Sequence, residues 1–283
     1  MPKALAGQLG CTDPNPIDTT SFFVRIHYFD FLNREPDTGG FNFWSGQIDN
    51  CTPKPQCTEV RRIDVSASFF LSIEFQQTGF FVERFYKAAY GDANGNSTTG
   101  GAHTLKVPIV RFAEFDLDTQ EIGEGVVVLQ PGWETVLENN KLAYALDFVT
   151  RSRFTTAYAT TLTPTQFVDT LFTNSGVTPT AAERNAAIAE FGVATNTTDV
   201  NARARALRRV VDHATFIQQE FNRAFVLMQY FGYLRRNPDD FQDTDHSGFE
   251  FWLNKLNTQG NYINAEMVKA FITSIEYRQR FAP

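Results

Sequence analysis

The stretch "FLNREPDTGGFNFW", Phe31 to Trp44, returns near the other end of the chain as "YLRRNPDDFQDTDHSGFEFW", Tyr233 to Trp252. Its flanks return with it. "FVRIHYFDFLNREP" matches "FVLMQYFGYLRRNP", and "FFLSIEF" matches "FITSIEY". Tyr28 pairs with Tyr230, Arg34 with Arg236, Pro36 with Pro238, Gly40 with Gly248 and Trp44 with Trp252. Ser72, Ile73 and Glu74 pair with Ser274, Ile275 and Glu276. Matches in register at this density mark an internal duplication, and a short duplicated unit gains stability by burying its apolar face on neighbouring units.

Within the first unit the periodicity is helical. Phe22, Ile26 and Phe29 fall on one face, Thr20 or Ser21 can cap the start, and Pro36 stops continuation. Asp37 is placed to cap a second helix, with Phe41 and Trp44 on one side, and "VRRIDVSASFFLSIEFQQ" predicts a third. Asp245 precedes Phe249 as Asp37 precedes Phe41, so it is read as the same N-cap, worth about 1 kcal/mol. Trp44 and Trp252 are read as buried anchors, and truncating Trp252 is expected to cost roughly 3–5 kcal/mol. Arg34 and Arg236 are read as structural contacts at a helix end, with an anion or sugar contact as the alternative.

Fainter copies open at "FVERFYKAAYGDANGN" (Phe81–Asn96) and "FVDTLFTNSGVTPT" (Phe167–Thr180). The division expected is a tail over 1–20 and helical units over 21–80, 81–160, 161–220 and 221–283. "SIEFQQTGFFVERFYKAAYG" and "FIQQEFNRAFVLMQYFGYL" run from unit to unit without a flexible linker, which predicts one continuous all-α body. Residues 92–132, rich in Gly and Asn at the start, are read as an irregular excursion with room for a short strand, and "GDANGNSTTGG" as a flexible loop.

The residues "REPDTGGFNFW" and "FFLSIEF", with their later counterparts, resemble a bacterial family of domains of unknown function (DUF family 4214). That family is itself similar to the phycobilisome linker domain. The resemblance is good in the outer quarters and weak in the middle half. It implies an all-helical accessory module of secreted and surface proteins and carries no catalytic residue. The later copy departs from the pattern by the insertion "DFQDTD".

Charge and cysteines narrow the setting. A net charge of -7 and a pI near 5.2 argue against nucleic acid as a partner. The one basic cluster, "NARARALRRV" (Asn201–Val210), is read as a solvated helix face. No apolar run is long enough to span a bilayer. The start lacks a signal-peptide pattern, so the chain is either cytosolic or preceded by a leader and other domains. Cys51 and Cys57 bracket "TPKPQ" and can form a disulfide worth roughly 2–2.5 kcal/mol; two unpaired thiols are the alternative. A bridge places the protein outside the cell, secreted or at the surface. Cys11 is left over, either free or joined to another chain.

Chemistry is sparse in this sequence. Asp243, Asp245 and Ser247, followed by Gly248, have the opening spacing of a calcium loop, but Asn254 stands where a bidentate Glu should close it. A capped turn is favoured over a calcium site, and no other cofactor is expected. Glu114, Asp116, Asp118, Glu121 and Glu124 are read as a solvated acidic loop. His27, His103, His213 and His246 are scattered, with no nucleophile motif beside them, and His27 is placed on a helix surface or half-buried. The function expected is therefore a non-catalytic interaction or structural module whose partners are other proteins or further copies of itself. The alternatives are a glycan-binding module, using the tryptophans and the 92–132 excursion, and an enzyme acting on polysaccharide.

Overall fold

Each of the two Arg-x-Pro turns follows a helix that ends in a left-handed residue, Asn33 in one case and Arg235 in the other, both at φ 54°. These stops set the corners of the chain. A computed structural model describes residues 14–51, 53–263 and 265–282. It is 66% helical, and among the described residues the sheet has only two strands, so the all-α expectation holds. The first quarter folds as α1 (Thr20–Leu32), α2 (Thr38–Asp49), α3 (Pro55–Leu71) and α4 (Ile73–Gln77). The middle runs through α5 (Gly79–Tyr90), β1 (Asp92–Ser97), β2 (His103–Pro108), α6 (Phe112–Gly123), α7 (Trp133–Phe148) and α8 (Ser152–Ala157). It continues with α9 (Pro164–Ser175), α10 (Ala181–Ile188) and α11 (Val200–Val211). The last quarter holds α12 (Ala214–Met228), which passes directly into a π-helical turn at Gln229–Leu234, then α13 (Ser247–Gln259), α14 (Met267–Ile272) and α15 (Ile275–Gln279).

The helix α5 is enclosed almost completely, with Gly79 through Ala89 all buried. A helix buried on this many sides, with Glu83, Arg84 and Lys87 among the enclosed residues, must be surrounded, and α4, α6, α9, α11 and α12 pack around it. Its Phe81 and Phe85 belong to a ring network that continues through Tyr144 and Phe148. Most of the 28 phenylalanines among the 283 residues are spent in such interiors.

Four sequence expectations are corrected here. Residues 92–132 are mostly regular. Asp92–Ser97 pairs antiparallel with His103–Pro108, from Asp92 opposite Pro108 to Ser97 opposite His103, and α6 follows. The strand "DANGNS" is poor in β-formers, and tertiary contacts hold it instead. The His246 amide donates to Asn96 O at 2.8 Å, and the Thr98 amide to Ser247 Oγ at 2.8 Å. The acidic run therefore lies mainly on a helix. The expected tail is also partly built in, for Pro16–Asp18 forms a 3-10 turn whose Ile17 is 1% exposed; residues 1–13, including Cys11, lie outside the described residues. The basic cluster is a solvated face only in part, at Arg205 and Arg209. Arg203 is buried and donates to Thr197 O and Tyr158 O, and Arg205 and Arg209 share Glu190.

The fourth correction concerns His27, which is fully buried where the first and last quarters meet. Its Nδ1 lies 2.7 Å from Phe23 O and its Nε2 2.7 Å from Ser66 Oγ, which lies 2.6 Å from Tyr233 Oη. A carbonyl can only accept, so Nδ1 carries the proton. Nε2 then accepts from Ser66, and Ser66 accepts from Tyr233. Around this chain the same seam is tied by Asp30 with Arg280, two contacts of 2.8 Å, and by Asp18 with Arg278 at 2.7 and 2.8 Å. The Cys51–Cys57 disulfide, with Cα atoms 5.4 Å apart, closes the loop between α2 and α3 beside it.

Burial lowers the His27 pKa from 6.5 to about 3. Between those values the unfolded chain binds a proton that the folded chain refuses, so stability falls as pH drops from 6.5 towards 3. The loss should be of order 4 kcal/mol across the window. Urea denaturation at a series of pH values should show a shallower acid slope for His27→Gln than for the parent; identical slopes would rule out this burial.

Candidate functional site

The twin turns share one set of arginine contacts. Arg34 Nε reaches Glu74 Oε1 at 2.6 Å and Nη2 reaches Oε2 at 2.7 Å. Arg236 grips Glu276 in the same way, at 2.6 and 3.0 Å, with the carboxylate again 40 residues further on. In both turns Nη1 donates to the next carbonyl, Glu35 O at 3.1 Å or Asn237 O at 2.9 Å. Each carboxylate belongs to the first turn of a short helix capped by the preceding serine. Ser72 accepts from the Phe75 amide and Ser274 from the Tyr277 amide, both at 3.1 Å. Every clasp therefore ties a turn to the closing helix of its own quarter. A two-point guanidinium–carboxylate contact fixes orientation as well as distance.

Beneath each arginine lies a tyrosine ring, Tyr28 at 5.0 Å and Tyr230 at 5.5 Å. The Tyr28 and Tyr230 hydroxyls explain two glycines. A Cβ on Gly40 would come within 2.1 Å of Tyr28 Oη, and one on Gly248 within 2.5 Å of Tyr230 Oη. Only glycine admits that approach. Asp37 caps α2 by accepting from the Gly40 amide at 2.8 Å. Asp245 differs. It accepts from the Ser247 amide at 2.8 Å and stands one residue outside the start of α13, whose N-cap is His246. Asp245 therefore closes a small turn before the helix rather than capping it.

Trp44 and Trp252 are half-buried, not fully enclosed. Each rests on one core ring, Trp44 on Phe69 at 5.9 Å and Trp252 on Phe271 at 5.7 Å. On the outer side of each stands a phenylalanine edge-on to the indole: Phe43 at 4.8 Å and 56% exposed, Phe251 at 5.0 Å and 50% exposed. Two aromatic pairs are thus presented to the outside at matching places. Pro36 is half-buried and Pro238 buried within the turns they terminate.

The remaining candidates are committed to internal contacts. Asp243 holds Arg236 at 2.7 Å, Asp245 holds the Ser247 amide, and Ser247 accepts from Thr98, so the calcium-like triad is already engaged by protein donors. Among the described residues, no group of three or more His, Cys, Asp or Glu side chains is placed to hold a metal ion. In the acidic run, Glu114 pairs with Arg153 and Asp116 with Arg235. Asp118 is buried and takes three donors at one oxygen, from Tyr86, Tyr144 and Arg151 at 2.8–2.9 Å. Glu121 lies 3.6 Å from Arg151. His103 meets Glu250 at 3.0 Å on the surface, and hydrogen bonding to Gly101 O and then to Glu250 raises its pKa.

Two buried groups had no sequence signal beyond their charge. Lys141 lies 4.6 Å from the Phe81 ring and bonds to Gln77, and burial brings its pKa down to about 8. Glu83 sits at the centre of α5. Burial, then the Glu220 carboxylate beside it, hold its pKa well above the ordinary value.

A family model described as "Domain of unknown function (DUF4214)" matches residues 17–79, which span α1 to α4 and the first clasp. No match was found among curated proteins or among solved structures. Among the described residues no helix is long and apolar enough to cross a membrane.

Removing one partner of a largely buried pair strands the other charge. Glu74→Gln and Glu276→Gln should each lower the unfolding free energy by about 2–3 kcal/mol in denaturant titration; unchanged midpoints in both would mean the clasps lock nothing. With its indole only half-enclosed, Trp252→Ala should cost about 2–3 kcal/mol, below the 3–5 of a fully buried ring. A thermal midpoint equal to that of the parent would remove its anchor role.

Proposed function

We propose that this chain is a non-catalytic, rigid interaction module of a secreted or surface-associated bacterial protein, and that residues 221–283 are a second copy of the domain matched at 17–79. Support for the second copy comes from the paired clasps, the paired serine caps and the paired Tyr–Gly contacts. Support for an outside location comes from the Cys51–Cys57 bridge, since such bonds persist in oxidising compartments.

The observation that carries the reading is the pair of exposed phenylalanines, each braced by a tryptophan on a locked turn. Phe43 and Phe251 are held by stiff neighbours rather than by mobile loops, so little conformational freedom is lost when a partner covers them. Aromatic side chains dominate the energetic centres of protein interfaces. Two such sites on one body would also let a partner with repeated epitopes bind with avidity. The polysaccharide-enzyme alternative draws no support from the acidic run, four of whose carboxylates face arginines of this chain.

The test is a Phe43→Ser/Phe251→Ser double variant, compared with the parent in co-sedimentation with isolated bacterial envelopes and in self-association by analytical ultracentrifugation. The expected result is an unchanged melting temperature with at least one of the two associations weakened about tenfold or more. Equal association by both proteins, or none by the parent, overturns the reading.

A further inference from the structure

The helix α12 begins well before the stretch that matches α1, and its first half forms one wall of a groove of about 500 Å³ facing α13. That volume lies within the range of small-ligand sites, about 300–1,000 Å³. The groove belongs to the last quarter alone, because the matching helix α1 starts only at Thr20, after the Pro16–Asp18 turn.

Its chemistry is unusually uniform. Ile217, Phe221 and Leu253 supply the apolar part, all half-buried. Phe221 is braced from behind by Phe70 at 5.5 Å and Phe80 at 6.0 Å, so its position is fixed. The polar part is four carboxamides. Gln218 and Gln219 are exposed, with no side-chain hydrogen-bond partner among the described residues. Asn222 and Asn257 are joined by a bond of 2.8 Å from Nδ2 of the first to Oδ1 of the second. That bond leaves the carbonyl of Asn222 and the amine of Asn257 for a ligand. Arg223 is the one charged lining residue, and it is neutralised by Asp92 at 2.7 Å and Glu220 at 2.9 Å.

A groove with no free charge offers little to an anion or a cation. Carboxamides donate and accept in equal measure, which matches hydroxyl groups, themselves both donors and acceptors. An apolar floor with one fixed ring suits a ligand that also has an apolar face. From this combination we infer that the α12–α13 groove is a binding site for a neutral saccharide, whose hydroxyls meet the four carboxamides while one ring face lies on Phe221. Neither Phe43 nor Phe251 lines the groove, and the inference does not rest on the reading given for them.

A panel of immobilised neutral and charged oligosaccharides, probed with the full chain, tests this, followed by calorimetry on the strongest hit. The Gln218→Ala/Asn257→Ala variant changes only exposed side chains and should keep the parent's melting temperature while losing affinity tenfold or more. Binding should also be insensitive to salt, as no ion pair is involved. Three results would each overturn the inference: no neutral saccharide bound by the parent, affinity unchanged in the variant, or preference for charged sugars. The Phe43→Ser/Phe251→Ser variant should bind the saccharide as the parent does, so failure of one idea is visible independently of the other.

Discussion

The organisation of both outer quarters hangs on one interaction, a guanidinium gripping a carboxylate at two points across 40 residues of chain. The arginine sits immediately after a helix stop and the glutamate in the first turn of a short capped helix. Closing the contact therefore fixes where the chain turns and where it returns. The tyrosine under the arginine and the glycine against the tyrosine complete a small rigid unit. Such a pair gives little net stability compared with an apolar replacement, but it orients strongly and is costly to half-remove.

Much of this was legible in the sequence because it is local and repeated. Asp37, Gly40 and Trp44 keep their spacing in the later copy as Asp245, Gly248 and Trp252, and Pro36 returns as Pro238 ahead of the insertion, which shows that they are tied to the turn rather than to chance. The Cys51–Cys57 bridge was legible for the same reason, as its two ends are close in sequence. The partner of Arg34 was not, although Glu74 and Glu276 stood among the matched positions. Sequence spacing alone does not reveal that a helix 40 residues on folds back to the turn.

What stayed hidden depends on contacts between distant segments. His27 sits on a helix where solvent exposure would be unremarked, yet Ser66 and Tyr233 enclose it, one from α3 and one from the last quarter. The strand "DANGNS" reads as loop because its residues have little β-propensity; the turn before α13 supplies its order. Arg203 looked like one cation among several on a solvated face, and only the carbonyls of Thr197 and Tyr158 show why it is inside. In each case tertiary context overrode the local signal.

The seam between the first and last quarters has a mechanical side. Asn15 donates to Arg278 O at 3.0 Å, and Asp18 and Arg278 lie face to face, so the two ends of the described chain leave the body at one place. Tension applied at both ends would peel this short polar latch apart first.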